Sequence, residues 1–192
     1  MKKRILFGTN NLHKLREIRE ILSETYEVLS LADVQLDMDV EETEPDLVGN
    51  AILKARAFSE ASGMPCFADD TGLEVTALGG KPGVRTARYA GEHATFQDNI
   101  DKLLREMQGK TDRSAAFRTV IAYVNGEQVD TFEGKVEGAI TQAASGQGGF
   151  GYDPVFAPEG KDVTFAEMSP EDKNAISHRG RAVRKFTDFL LS

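Results

Sequence analysis

The stretch Phe67-Ala68-Asp69-Asp70-Thr71-Gly72 places two adjacent carboxylates at the end of a short apolar run, 64–68. An apolar run of this length predicts a buried strand, and such strands in α/β folds bring functional groups to their carboxyl ends. Neighbouring aspartates repel each other, so either one is protonated or a cation keeps both ionised. Mg²⁺ is the usual cation, because it takes hard oxygen ligands and is often bound by one or two carboxylates together with phosphates. The alternative is an aspartate-rich turn in which Gly72 supplies a positive φ.

Size and charge limit the classes of protein to which the chain can belong. Its 192 residues predict a single domain, 1–192, with a substantial core. The chain has 23 basic and 31 acidic residues and a formal net charge of −8. An acidic surface argues against binding to nucleic acid or to an anionic membrane. A small basic pocket for a phosphorylated ligand remains compatible with this balance.

The single cysteine and the hydropathy pattern bear on where the protein is located. Cys66 alone excludes an intramolecular disulfide and a cysteine-based zinc cluster, and its place in the apolar run predicts a buried thiol. Only three apolar residues follow the basic start of the chain, too few for a secretion signal, and no run reaches transmembrane length. We therefore expect a cytoplasmic location.

Helical and strand patterns alternate in the first half of the chain. The predicted elements there are a strand at 5–8, a helix at 12–24, a strand at 26–31, a helix that starts near Asp46 and has Gly63 as its C′ residue, and the strand at 64–68. The second half has a helix capped by Thr95, a hairpin turning at Asn125-Gly126, and a helix starting at Ser169-Pro170. Alternation followed by a long hairpin favours an α/β domain with a mixed sheet.

The first group with chemical potential is the loop Thr9 to Lys14, which precedes a predicted helix. A helix N-terminus offers free N–H groups and a partial positive charge, and Lys14 adds a full one, so the loop is suited to phosphate. It is not a Walker A loop, because the spaced glycines and the Gly-Lys-Ser/Thr ending are absent. A plain capped helix with a solvated lysine is the alternative.

Two further groups of charged residues could either bind a ligand or simply be solvated at the surface. Glu41 and Glu42, in the acidic stretch 37–45, could add a metal ligand to the paired aspartates, although charge runs are usually solvated. Lys173, His178 and Arg179 could bind phosphate or a base edge, unless they lie on an exposed basic helix.

A glycine-rich stretch, 148–154, carries two aromatic rings and a carboxylate. Glycines allow close approach of the backbone to a ligand, and Phe150 or Tyr152 could stack on a purine. Asp153 could accept a hydrogen bond from a ring N–H. The alternative is a turn that packs its aromatic rings into the core.

Six motifs in order resemble those of the inosine triphosphate pyrophosphatase family, also called dITP/XTP pyrophosphatases. The motifs are Thr9-Asn10-Asn11-Leu12-His13-Lys14, Glu41-Glu42-Thr43 with the helix 50–55, Ala68-Asp69-Asp70-Thr71-Gly72-Leu73, the loop 80–91, Phe150-Gly151-Tyr152-Asp153-Pro154, and Lys173-Asn174-Ala175-Ile176-Ser177-His178-Arg179. They cover nearly the whole chain. Two positions depart from the common pattern: His13 stands where many members have glycine, and Thr86 where serine is common.

The resemblance implies a fold and an activity. The fold would be an elongated mixed β-sheet flanked by helices, in two lobes with a central substrate cleft, and the protein would be a homodimer. The activity would be Mg²⁺-dependent hydrolysis of ITP, dITP and XTP to the nucleoside monophosphate and pyrophosphate, which removes non-standard purines from the nucleotide pool before they enter DNA or RNA.

The resemblance also implies roles for individual residues. Asp70 would be the proton acceptor and a metal ligand, with Glu41 as the second ligand and Glu42 and Asp69 in support. The residues implied to bind substrate are Thr9, Asn10, Asn11, Leu12, His13, Lys14, Thr71, Phe150, Gly151, Tyr152, Asp153, Lys173, His178 and Arg179.

Two rival functions use the same residues differently. A phosphatase acting through a phospho-aspartate would release orthophosphate, but the Asp-x-Asp spacing expected of it is absent. A non-catalytic nucleotide-sensing module would bind nucleotide without turnover and would not need Asp70 as a base.

Overall fold

The computed structural model describes residues 2–22, 24 and 26–192, and it has a mixed α/β fold. The strands are β1 (Lys3–Phe7), β2 (Tyr26–Leu29), β3 (Cys66–Val75), β4 (Pro82–Gly83), β5 (Ser114–Asn125), β6 (Gln128–Ile140) and β7 (Phe156–Pro158). The α-helices are α1 (Leu12–Leu22), α2 (Leu47–Ser62), α3 (Phe96–Glu106), α4 (Pro170–Ile176) and α5 (His178–Leu191). No helix among the described residues is long and apolar enough to cross a membrane.

The strands form one mixed sheet, as predicted. Its order is β2-β1-β3-β5-β6-β7, with β4 paired to β3. Strand β1 runs parallel to β2 and β3, whereas β4 is antiparallel to β3 and β7 is antiparallel to β6. The hairpin between β5 and β6 turns at Gly126-Glu127, one residue later than predicted, because Asn125 still belongs to β5. Gly126 has a φ of 61°, which suits a tight turn.

Strand β3 is longer than the apolar run predicted. It does not end at Ala68 but continues through both aspartates to Val75, so the alternative of a turn at Gly72 is wrong. Aspartate and glycine are poor strand formers, but tertiary pairing outweighs this preference. Leu73 and Glu74 pair with β4, and the side chains of Leu73 and Val75 are buried.

Helices α2 and α3 begin at the predicted positions. Asp46 accepts a hydrogen bond from the Gly49 N–H at 2.7 Å, and Gly63 ends α2 with a φ of 65°. Thr95 and Asp98 form a reciprocal capping box at the start of α3. Helix α1 ends at Leu22, and its predicted extension to Glu24 passes through Ser23, which lies outside the described residues. Strand β2 ends at Leu29, two residues before the predicted end.

The first of two compact units comprises Met1–Asp70, Thr119–Gly134 and Arg179–Ser192. Its core is built by alternation along β1: Ile5 and Phe7 belong to one apolar cluster and Leu6 to another. The first cluster includes side chains of α1 and α5, and the second includes Phe58 of α2. The rings of Phe7 and Phe67 are stacked, with centroids 4.6 Å apart. Burial of such a ring stabilises the fold by about 1.5–3 kcal/mol.

The second unit comprises Thr71–Arg118 and Lys135–His178. Its core gathers residues from β3, α3, β5, β6 and the segments after β6, among them Leu73, Leu103, Phe117, Phe156 and Phe165. The prediction of one domain spanning 1–192, with two lobes and a cleft, remains a prediction.

Candidate active site

Two neighbouring carboxylates of β3 face different surroundings. Strand β1 pairs with β3 only as far as Phe7 and Phe67, so Asp69 and Asp70 lie just beyond the carboxyl end of β1. Successive strand residues point to opposite faces of a sheet. Asp69 therefore lies on the face of Phe67, toward α1 and α5, and Asp70 lies on the face of Cys66, toward α2. Both side chains are nearly inaccessible, since the residues are 2% and 5% exposed.

Asp69 is held by two cations. Lys14 Nζ of α1 lies 3.1 Å from one of its oxygens, and Arg179 Nη2 of α5 lies 3.3 Å from the other. Burial by itself would raise the pKa of Asp69, but Lys14 and Arg179 lower it to about 2. Asp69 is thus a permanently ionised anchor at neutral pH.

Arg179 is shared with a third acid, Glu17 of α1. Its Nη1 donates a hydrogen bond to Glu17 Oε2, while Nη2 reaches Asp69. The guanidinium is buried, and the fork geometry of arginine lets it bridge two carboxylates. Sequence reasoning did not single out Glu17, because 162 positions separate it from its partner.

Asp70 meets Lys54 of α2. Lys54 Nζ lies 3.5 Å from Asp70 Oδ1 and 2.5 Å from Glu42 Oε1. Burial raises the pKa of Asp70, Lys54 opposes this rise, and the charge of Glu42 adds to it. Although burial disfavours its charge, the pKa of Lys54 is raised, because Asp70 and Glu42 stabilise the ammonium. Burial thus makes the Asp70 carboxylate a stronger proton acceptor than an exposed aspartate.

Lys54 belongs to the helix 50–55 of the second motif, and no role was assigned to it from the sequence. A signal for it was present: Lys54 is seven residues after Leu47 and three after Ala51, so it falls in line with the apolar face of α2. A lysine on a core-facing stripe needs a buried partner, and two carboxylates supply it here. We call Lys14, Glu17, Glu42, Lys54, Asp69, Asp70 and Arg179 the carboxylate–cation cluster.

The loop before α1 is shaped by its own side chains. Asn11 Oδ1 accepts hydrogen bonds from the N–H groups of His13 and Lys14 at 3.0 and 3.1 Å, so Asn11 caps the helix. Thr9 Oγ1 accepts from the Asn11 N–H at 3.1 Å, and Leu12 and His13 are exposed. Lys14 is not a solvated lysine, because its ammonium reaches Asp69. The plain capped-helix alternative therefore fails at Lys14.

The acidic loop 37–45 is attached at both ends by asparagine side chains. Asn10 Nδ2 donates to the carbonyl of Met38 at 3.1 Å and to Asp39 Oδ1 at 3.4 Å. At the other end, Asn50 Oδ1 accepts from the N–H of Glu44 at 2.9 Å, and Asn50 Nδ2 donates to the carbonyl of Glu44 at 3.3 Å. Between these points Glu42 is half-buried against Lys54, whereas Glu41 is exposed.

The metal-binding potential of these acids is limited. Among the described residues, no group of three or more histidine, cysteine, aspartate or glutamate side chains is arranged to hold a metal ion. Asp69 is engaged by Lys14 and Arg179, and Glu42 by Lys54. A cation bound here would need oxygen ligands from a bound phosphate or from water in addition to the protein.

The second unit contributes a separate group around Asp153. Asp153 Oδ2 accepts hydrogen bonds from Lys173 Nζ at 2.7 Å and from the Phe150 N–H at 3.0 Å. Both charged residues of this pair are buried. Gly149 has a φ of 67°, and a Cβ there would lie 2.0 Å from Asp153 Oδ2, so only glycine fits. We call residues 148–153 with Lys173 the aromatic loop.

Of the two rings in the aromatic loop, Phe150 is the more accessible. Tyr152 is buried in the core of the second unit and its hydroxyl donates to the carbonyl of Thr86 at 2.7 Å. Phe150 is only half-buried, and Lys173 Nζ lies 5.2 Å from its ring centroid. Phe150 therefore offers the more exposed ring of the two. Gly151 lies between them with a φ of 59°, and Thr71, the first residue of this unit, is half-buried in β3.

The residues 173–179 do not form one exposed basic helix. Ser177 ends α4 with extended backbone, so Lys173 and Ser177 do not share a continuous helix face, and α5 begins at His178. His178 is buried in the second unit, with its ring stacked on Phe117 at 4.5 Å. The exposed-helix alternative is wrong for Lys173, His178 and Arg179 but correct for Arg181, Arg184 and Lys185, which are exposed.

The ion pairs of Asp69 with Lys14 and Arg179 should contribute to the stability of the fold. Asp69→Asn keeps the shape of the side chain but leaves Lys14 and Arg179 without its charge, so we expect a loss of about 3 kcal/mol in the free energy of unfolding. Urea denaturation measures it. The exposed Glu60→Gln is the matched control and should change stability by under about 0.5 kcal/mol.

A double-mutant cycle isolates the charge pair. Lys14→Met should cost less in the Asp69→Asn background than in the original chain, because the lysine has then lost its partner. Additive losses, or an Asp69→Asn variant as stable as the original chain, would contradict the assignment of Asp69 as an anchor.

Comparisons with known proteins identify the relatives of this arrangement. The Ham1 family model matches residues 5–189. The chain is 53% identical to the dITP/XTP pyrophosphatase of Chlorobaculum tepidum, over 93% of this chain and 88% of that protein. It is 50% identical to the dITP/XTP pyrophosphatase of Porphyromonas gingivalis, over 98% of each chain.

Solved structures of Ham1 proteins have the same fold as this chain. The Ham1 protein of Staphylococcus aureus superposes with a TM-score of 0.87 at 41% identity, and that of Coxiella burnetii with a TM-score of 0.89 at 38% identity. Each alignment covers 98% of both chains. The fold, its order of motifs and these similarities lead to one conclusion: the chain belongs to the Ham1 family.

Proposed function

We propose that this protein hydrolyses non-standard purine nucleoside triphosphates, namely ITP, dITP and XTP, to the nucleoside monophosphate and pyrophosphate. Relatives that are 50% and 53% identical over nearly the whole chain are dITP/XTP pyrophosphatases. The observation that carries the proposal is the carboxylate–cation cluster, in which Asp70 has a raised pKa beside fixed positive charges. A general base and fixed positive charges both accelerate the hydrolysis of an acid anhydride.

Asp70 is the proposed proton acceptor. The attacking water loses a proton to its carboxylate as the new bond to phosphorus forms, and the bond to the bridging oxygen between the α and β phosphorus atoms breaks. A base of this kind typically contributes 10²–10⁴-fold in rate. Lys54, 3.5 Å away, keeps the carboxylate oriented and ionised when the water arrives.

The cations of the cluster are proposed to neutralise the triphosphate. Lys14 and Arg179 are already fixed by Asp69, so their charges need no rearrangement when charge develops on the phosphate oxygens. The dipole of α1 adds a partial positive charge at its start, although the N–H groups of His13 and Lys14 already donate to Asn11. Asp69 acts through Lys14 and Arg179, as a residue that positions them.

Mg²⁺ is the proposed cofactor, and the protein would supply only part of its oxygen ligands. Asp70 and Glu41 offer hard oxygen ligands, and Mg²⁺ is commonly bound by one or two carboxylates with phosphate and water completing its shell. Glu41 is the proposed second ligand because it is exposed, whereas Glu42 is held by Lys54 and Asp69 by Lys14 and Arg179. When bound, the metal would withdraw charge from the phosphate oxygens.

The aromatic loop is proposed to contact the base. Phe150 offers a stacking surface, and Lys173 Nζ lies 5.2 Å from the centroid of its ring. Hydrogen-bond donors facing the purine 6-oxygen would select against adenine, because its 6-amino group leaves those donors unpaired. Guanine keeps the 6-oxygen, so excluding it requires a block against its 2-amino group.

A homodimer in the cytoplasm is also proposed, as the family resemblance implies. Light scattering after gel filtration tests the oligomeric state, since a dimer would have twice the 21.0 kDa mass of the chain.

Product analysis tests the reaction and its selectivity together. With Mg²⁺ present, ITP, dITP and XTP should yield monophosphate and pyrophosphate. ATP should yield little of either, because its 6-amino group would leave the hydrogen-bond donors that face the purine 6-position unpaired. Chromatography of the nucleotides with a pyrophosphate assay measures it. Orthophosphate as the product would indicate the phosphatase, and tight binding without turnover would indicate the nucleotide sensor.

Replacement of the proposed base gives the second prediction. Asp70→Asn should lower kcat for ITP by about 10²–10⁴-fold, because the amide cannot take up the proton, while nucleotide binding persists. Steady-state kinetics and calorimetry measure the two quantities. Asp162→Asn, an exposed acid in the second unit, is the control and should leave kcat unchanged. A kcat unchanged by Asp70→Asn would refute the assignment.

Metal dependence gives the third prediction. Removing Mg²⁺ with a chelator should abolish turnover, and Glu41→Gln should raise the Mg²⁺ concentration for half-maximal rate by about tenfold or more. Glu42→Gln is the matched variant one residue along the loop, and it should shift this concentration less, because it removes a partner of Lys54. A larger shift in Glu42→Gln than in Glu41→Gln would indicate that Glu42, and not Glu41, is the second metal ligand.

A further inference from the structure

Phe96 is a large apolar side chain left exposed at the start of a helix. It is the first residue of α3 and is 45% exposed. Its position is fixed by the preceding residue, because Thr95 and Asp98 form the capping box that starts the helix. The next two residues, Gln97 and Asp98, are polar, as expected for a solvated first turn. Phe96 is therefore an exposed apolar side chain in an otherwise polar first turn.

The ring of Phe96 lies beside that of Phe150. Their centroids are 6.0 Å apart and their planes are inclined by 46°. Both residues belong to the second unit. The tilted pair forms an aromatic corner with two ring surfaces rather than one.

Phe150 is a fixed member of this corner. Its N–H donates to Asp153 Oδ2, the oxygen that also accepts from Lys173. The glycine before it, Gly149, cannot be replaced without a clash against Asp153. The backbone of the aromatic loop is thus anchored by a buried ion pair, and Phe96 approaches a ring whose main chain is already held in place.

We propose that Phe96 is a second base-contacting residue, which extends the stacking surface of Phe150 for a purine. The inference rests on the proposed function, since it assumes that Phe150 meets the base. A purine has two fused rings and a larger face than a single phenyl group, so an adjacent phenyl adds contact area. Stacking depends on the π-face that every base has, so Phe96 strengthens binding of all purines and does not itself choose among them.

Kinetics of Phe96→Ala test the contact. KM for ITP and XTP should rise about five- to tenfold, the lower end of the effect of losing one stacking side chain, with kcat within about twofold of the original. Inhibition by inorganic tripolyphosphate, which has no base, should not change. Val163→Ala is the matched control, because Val163 is another exposed apolar side chain of the second unit, and its KM should stay the same.

A fluorescence experiment distinguishes contact from mere support of Phe150. The chain contains no tryptophan, so Phe96→Trp carries the only indole. Inosine monophosphate should quench its fluorescence, because the base stacks on the indole, and ribose 5-phosphate, which has no base, should not. Val163→Trp should show no quenching with either compound.

The outcomes separate this inference from the proposed function. If the original chain does not hydrolyse ITP, the proposed function fails first. If it does, then an unchanged KM in Phe96→Ala, or a raised KM without quenching in Phe96→Trp, overturns the role of Phe96 alone. Quenching by inosine monophosphate together with the raised KM establishes it.

Discussion

The pleat of β3 is the constraint on which the rest of the candidate active site depends. It turns Asp69 and Asp70, joined by one peptide bond, to opposite faces of the sheet. Each carboxylate then meets its own cations, Lys14 and Arg179 on one side and Lys54 on the other. These cations reduce the repulsion expected between the two adjacent carboxylates. The pKa of Asp69 falls to about 2 and that of Asp70 rises, so the two acids have different chemical characters.

This separation requires an extended backbone through the acidic pair. A turn at Asp69-Asp70 would bring both side chains toward the same surroundings, and a slip of one residue in register would exchange them. The pairing of Leu73 and Glu74 with β4 and the burial of Leu73 and Val75 hold the strand beyond the acids.

Local features of the fold could be predicted from the sequence, and contacts between distant segments could not. Capping by Thr95, the start of α2 near Asp46 and its end at Gly63 depend on neighbours within one helix turn, and all were predicted. The length of β3 depends on pairing with a strand that carries almost no signal of its own, Pro82–Gly83. Glu17 and Lys54 acquire meaning only from Arg179 and Asp70, far away in the chain. The ordered motifs indicated which segments matter, whereas the structure indicates which of their side chains meet.

The two asparagines at the ends of the acidic loop have a consequence for affinity. Asn10 holds the loop at Met38 and Asn50 holds it at Glu44, so Val40, Glu41, Glu42 and Thr43 form a short span between fixed points. Ordering one residue of free backbone costs about 1–2 kcal/mol in conformational entropy. Folding has already met much of that cost for this span, so the cation proposed to bind Glu41 would have little left to order. Two neutral amides would thus strengthen the proposed cation site without contributing any charge to it.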